Sequence, residues 1–157
     1  EVVNYATQTI RKKVNKNKNE EITVLDLAAG TGKLTNLLDE LPQTKVIACE
    51  PSYGMIKELK KNKKKYEIIQ GTAQSIPVKN STFDAVFAAQ AFHWFANIES
   101  LEEINRVLVP GGIFCCMWNL ESASELWVKE LRELYEVYDV NIPQYRKGHW
   151  KEIFETE

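Results

Sequence analysis

The sequence predicts an α/β domain: a three-layer, doubly wound and mostly parallel sheet with helices on both faces. Two observations carry that expectation. Short apolar runs rich in β-branched residues alternate with stretches of helical periodicity, and the runs are apolar at consecutive positions, as in strands covered on both sides. Strands that alternate with helices in this way form parallel sheets through right-handed crossovers. At 157 residues the chain is the size of one domain, so residues 1–157 are read as a single unit.

Before the first strand, Val3, Ile10 and Val14 have the spacing of a helix packed on the sheet. ITVLDL (22–27) is the first strand. A loop with two glycines follows it, then a helix through Leu34, Leu37, Leu38 and Leu41 that ends near Pro42. KVIACE (45–50) is the second strand, and Pro51 and Ser52 suit the opening of a helix carrying Met55, Ile56 and Leu59. EIIQ (67–70) and FDAVFAA (83–89) are the third and fourth strands. Residues 99–108 place Leu101, Ile104, Val107 and Leu108 at helical spacing, with Pro110-Gly111-Gly112 as the stop and 112–118 as a fifth strand. Leu126, Val128, Leu131, Leu134 and Val137 mark a further helix, whereas 145–154 has no clear period.

Composition excludes several classes. A net charge of −2 gives no global attraction for nucleic acid or anionic lipid, and no apolar run reaches the length of a bilayer span. The basic runs at 11–18 and 57–65 lack interleaved aromatic residues and read as solvated faces. Cys49, Cys115 and Cys116 lie within strands and form no disulfide framework. They read as reduced packing residues of a cytoplasmic protein, the last two on opposite faces of one strand. With two histidines at distant positions, no metal site is expected.

In an open parallel sheet, ligands sit beyond the carboxyl ends of the strands, where strand order reverses. The chemistry is therefore sought just after each strand. In VLDLAAGTGKLT (24–35), Gly30 and Gly32 permit positive φ and close backbone approach, and Asp26 stands where a carboxylate can meet a cationic ligand group. Glu50 ends the second strand 24 residues after Asp26, and its two oxygens match a vicinal diol such as that of ribose.

These segments, with VIACEPS, GTAQSIP, FDAVFAAQAFHWF and RVLVPGG in that order, resemble the class I methyltransferases that use S-adenosylmethionine. The similarity covers roughly 22–118. It is nearest in appearance to the small-molecule branch that includes trans-aconitate methyltransferase-like (type 11) proteins. The resemblance implies the Rossmann-like methyltransferase fold and an enzyme that passes the methyl group of S-adenosylmethionine to a small-molecule acceptor. It also implies roles for residues. Asp26, Ala28, Gly30 and Gly32 would cradle the methionine part, and Glu50 would hold the ribose hydroxyls. Pro51, Ser52, Thr72, Ala73 and Gln74 would border the adenine, and Gln90 and Ala91 would face the transferable methyl. His93 and Trp94 would line the acceptor pocket, with His93 as the candidate base; a pocket-wall or packing role in the aromatic cluster is the favoured reading of that histidine.

The chain also departs from the family. Ala28 replaces the first loop glycine, and Thr72 stands where many relatives carry an acid. The family's sheet has two further strands beyond the fifth, so the chain reads as a piece cut at one or both ends that lacks them. Two other readings stay open: a methyltransferase-like module without catalysis, and a nicotinamide oxidoreductase. The three-glycine fingerprint of the latter would fall on Ala28, Gly30 and Lys33, and lysine at the third position obstructs close helix–strand packing.

Overall fold

In the computed structural model, residues 2–62, 65–122, 124–136, 138 and 142–155 are described. Five strands form one sheet: β1 (Ile22–Leu27), β2 (Thr44–Glu50), β3 (Glu67–Gln70), β4 (Phe83–Ala89) and β5 (Leu108–Met117). Every pairing is parallel, and the order is β3-β2-β1-β4-β5. The helices are α1 (Val2–Lys13), α2 (Lys33–Asp39), α3 (Tyr53–Leu59), α4 (Ile98–Val107) and α5 (Leu126–Glu136). The chain winds outward from β1 through β2 to β3, then returns to β4 on the other side of β1. The order reverses between β1 and β4, and the carboxyl ends of those two strands face the site described below.

Alternation along the strands builds two cores. Ile22, Val24, Val46, Ala48, Ala85 and Phe87 face Ile10 of α1, Leu34 and Leu38 of α2 and Leu59 of α3. Leu25, Leu27, Ile47, Cys49 and Val86 face Ile104 and Val107 of α4, together with Ala73 and Ile76. Phe83 belongs with this second group although Ala85, two residues on, belongs with the first. A register shift between Phe83 and Ala85 changes the parity of β4. Asp84 within that irregularity is buried, and it accepts hydrogen bonds from the Thr23 backbone N–H (2.8 Å) and Lys16 Nζ (2.7 Å).

Three expectations need correction. β5 starts at Leu108 and passes through Pro110-Gly111-Gly112, where a stop was expected. It lies at the sheet edge, where a proline forfeits no ladder bond that the strand needs. For the same reason Cys115 and Cys116 are half-buried rather than fully packed. The 11–18 run is not merely solvated. Arg11 donates to the Pro42 and Gln43 carbonyls and to the Asn17 and Glu20 carbonyls, and Lys16 pairs with Asp84. In the second run Lys57, Lys60, Lys61 and Lys65 are exposed as expected. Lys63, Lys64 and Val137 lie outside the described residues. The ambiguous 145–154 stretch forms two short 3₁₀ turns, Tyr145–Lys147 and His149–Phe154. Among the described residues no helix is long and apolar enough to cross a membrane.

Candidate active site

A cavity of about 680 Å³ opens at the carboxyl ends of β1, β4 and β5. Asp26, Ala28, Gly30 and Gln90 line it, as does Lys33 at the start of α2, with Met117, Trp118 and Asn119 on the far side. The loop after β1 reaches this position through three left-handed residues: Ala28 (φ 59°), Gly30 (φ 57°) and Gly32 (φ 86°). The two glycines do different work. A Cβ on Gly30 would meet nothing within 4 Å, so its bareness leaves room on the ligand side. A Cβ on Gly32 would lie 2.2 Å from Leu59 Cδ1, so there the missing side chain lets α2 close against α3. Ala28 holds a conformation that costs a non-glycine residue about 1 kcal/mol.

Asp26 is buried and accepts a 2.6 Å hydrogen bond from Thr35 Oγ1. Burial pushes its carboxyl up to about 7, against the Thr35 hydrogen bonds that hold it down, and the nearby Glu50 charge adds to the rise. Glu50, also buried, clamps the two loops. One oxygen accepts from the Gly30 N–H and the other from the Ser52 N–H, each at 2.9 Å. Each carboxylate oxygen keeps a second lone pair. Burial pushes Cys49 up to about 12, with the Glu50 and Asp26 charges adding to it, so its thiol stays protonated at neutral pH.

Glu50 and the other expected residues, Pro51, Ser52, Thr72, Ala73, Gln74 and Ala91, are not among those that line this cavity. Pro51 is exposed beside Glu50, and Ser52 caps α3 by accepting from the Met55 N–H. Thr72 and Ser75 exchange backbone hydrogen bonds at 3.2 Å, which pinches residues 72–75 into a tight turn. That turn leaves Thr72 and Gln74 exposed and buries Ala73 in the second core. Ala91 is buried. Arg106, which opens the RVLVPGG segment but has no role implied by the sequence, ties down the chain that follows this turn. It donates to Glu103 (2.7 and 2.8 Å), to the Ile76 and Val78 carbonyls and to Asn80 Oδ1.

A second cavity of about 460 Å³ adjoins the first, and Gln90 and Asn119 line both. Gln90 stands in the left-handed region (φ 57°) and donates through Nε2 to the Asn119 carbonyl at 3.2 Å. The second wall carries charged and polar side chains, His93, Glu121, Arg132, Gln144, Tyr145 and Arg146, together with Leu120 and Pro143. Trp94 is 59% exposed and is not part of that wall, although His93 is. Burial moves His93 below the ordinary histidine range, and its Nδ1 accepts a 3.1 Å hydrogen bond from Trp118 Nε1. Trp118 and Trp150 stack with centroids 4.6 Å apart, while Trp127 is exposed.

An open parallel sheet with a glycine loop and two acids at the ends of β1 and β2 defines a nucleotide-type ligand-binding α/β domain. The methyltransferase domain family model matches residues 25–116, and the chain belongs to that family. It is 39% identical over 118 residues to an uncharacterised methyltransferase of Schizosaccharomyces pombe, which covers 75% of this chain and 47% of the relative. It is 38% identical to a demethylmenaquinone methyltransferase of Symbiobacterium thermophilum, over 60% of this chain and 41% of that protein. The chain thus spans about half the length of the curated relatives it matches. A SAM-dependent methyltransferase of Aquifex aeolicus has the same fold, with a TM-score of 0.62 at 24% identity over 86% of this chain and 77% of that one.

Proposed function

We propose that this chain is the cofactor-binding core of an enzyme that transfers a methyl group from S-adenosylmethionine to a small polar acceptor. The observation that carries this reading is the junction of two cavities at Gln90 and Asn119, one walled by the glycine loop and Asp26, the other carrying the charged side chains Glu121, Arg132 and Arg146. When bound, S-adenosylmethionine supplies a methyl group already activated by its positively charged sulfur.

The residues fit that group. Asp26, poised near neutrality at the cavity wall, gains a partner for its charge in a ligand ammonium. Gly30 leaves space above the loop, and Glu50 offers its free lone pairs to a ribose diol. By the family resemblance Pro51, Ser52, Thr72, Ala73 and Gln74 would border the adenine, and Gln90 and Ala91 would face the reacting methyl; of these, Gln90 lines both cavities. Positioning of acceptor and donor in line supplies most of the rate, because the leaving group is already activated. A relative named for demethylmenaquinone methylation supports a small-molecule acceptor, while the charged side chains on the second wall favour a more polar molecule than a quinone.

Calorimetric titration with S-adenosylmethionine and S-adenosylhomocysteine, with NAD as control, tests the reading. Saturable binding of the first two, weakened in Glu50→Ala, supports it. Binding of NAD in preference would replace it with nicotinamide chemistry, and no binding of either would leave a methyltransferase-like module without cofactor.

A further inference from the structure

Trp118 belongs to both halves of the site. It lines the larger cavity, and its indole N–H donates to His93, a wall residue of the smaller one. The indole is held by flanking rings, with Trp150 at 4.6 Å and Tyr145 at 4.9 Å between centroids. An indole N–H is only ever a donor, so the nitrogen that receives it carries no proton. That nitrogen is His93 Nδ1. The one hydrogen of a neutral imidazole therefore sits on Nε2, which makes no hydrogen bond among the described residues.

We propose that Trp118 is a positioning residue that locks His93 as the Nε2–H tautomer, and that His93 serves the methyl acceptor as a hydrogen-bond donor and not as a general base. Nε2 already holds its proton and has no lone pair to offer. Proton uptake at Nδ1 would set two N–H donors against each other and break the Trp118 bond. The burial that lowers the histidine pKa acts in the same direction. The transfer then balances without a proton at His93. The acceptor's lone pair forms the new bond to carbon, the carbon–sulfur bond breaks with its electron pair passing to sulfur, and the acceptor group arrives already ionised. The donated N–H holds an oxygen of that acceptor in place. The catalytic half of this inference rests on the methyltransferase reading, whereas the tautomer does not.

Imidazole nitrogen NMR on the full chain reads the tautomer with no cofactor or acceptor present. With two histidines in the sequence, His149→Gln assigns the signals. The expected spectrum shows His93 as a single Nε2–H tautomer that resists protonation below the ordinary histidine range. In Trp118→Phe, which keeps an aromatic ring in the stack, His93 becomes a tautomer mixture with a higher pKa. An Nδ1–H tautomer, or a freely exchanging mixture in the wild type, overturns the proposal even if the variant fails to fold. So does an unchanged His93 spectrum in a folded Trp118→Phe protein.

Kinetics test the donor role once an acceptor is in hand. His93→Ala then lowers kcat/KM about tenfold, the scale of one hydrogen bond, and His93→Gln, which restores an N–H donor, recovers part of the loss. A fall of about a hundredfold or more in both variants, with a rate limb that titrates with His93, is base catalysis and ends the donor assignment. A locked tautomer with no cofactor binding would instead refute the methyltransferase reading and leave the lock standing.

Discussion

At the wall of the larger cavity, Asp26 is ionised only above about pH 7, and this fixes the sign of the protein's pH response. A carboxyl whose pKa is raised on folding favours the folded state most below its unfolded value near 4. That contribution is lost as pH climbs through 7. The ligand-free protein is therefore expected to lose stability between about pH 4 and 7, by on the order of 4 kcal/mol from this group. Thermal melts of wild type and Asp26→Asn across that range check it: the variant is flatter with pH and melts higher than wild type at pH 8. Ligand binding shows the opposite trend. A cationic ligand group drives Asp26 to ionise, so affinity for S-adenosylmethionine rises with pH through 7 in wild type and is weak and pH-independent in Asp26→Asn. Ala28 gives a second expectation at this scale. Ala28→Gly removes the strain of φ 59° but adds freedom to the unfolded chain, for a net gain of about 0.5 kcal/mol in a denaturant titration. That Asp26 and Glu50 stand near the carboxyl ends of adjacent parallel strands was legible from their 24-residue spacing taken together with the glycine loop between them. The left-handed Ala28 was not, since nothing in a run of two alanines announces a backbone angle. Nor was the bond from Trp118 to His93. Residues 25 apart meet only because the β4–β5 register sets Ala89 beside Met117.

At the scale of elements, the strands were legible to within a few residues because each holds a short apolar run, and the helices because their apolar residues recur at the right period. What stayed hidden was how the turn at 72–75 is held. Its support is one arginine on α4 that satisfies two carbonyls of the segment after the turn and pairs with Glu103, whose carboxylate in turn accepts from the Ile76 N–H at 2.6 Å. The Glu103 carboxyl is held below its usual range by that arginine. Such a network joins positions some thirty residues apart and leaves no local signature. Arg106→Ala is expected to cost about 2 kcal/mol, given that the pair is only partly buried. It should weaken cofactor affinity through the adenine side while Gly30 and Asp26 keep their geometry. Hydrogen exchange that speeds at residues 72–82 and stays unchanged at 27–32 checks this.

For the whole molecule, the two cavities rest on supports of different strength. The larger is built on β1 and β4, whose residues are almost all buried and which sit at the centre of the sheet. The smaller leans on α5 and the segment after it, and α5 buries only Val128 while Leu126, Trp127, Leu131 and Leu134 are exposed. Few buried apolar contacts mean a low free energy of local opening, so the wall of the smaller cavity is expected to open well before that of the larger. Native-state hydrogen exchange is expected to show α5 and residues 142–155 exchanging by a local, denaturant-insensitive route. Amides of β1, β2 and β4 exchange only on global unfolding. A cofactor that binds the native state slows the strand amides in proportion to ligand concentration over its dissociation constant. It leaves α5 nearly as fast as before, because Arg132 and its neighbours line only the other cavity. An acceptor that fills the second cavity slows α5 as well. If S-adenosylmethionine alone protected α5 and the strands equally, the two cavities would be one cooperative unit, and the separation of a rigid cofactor floor from a yielding acceptor wall would be wrong.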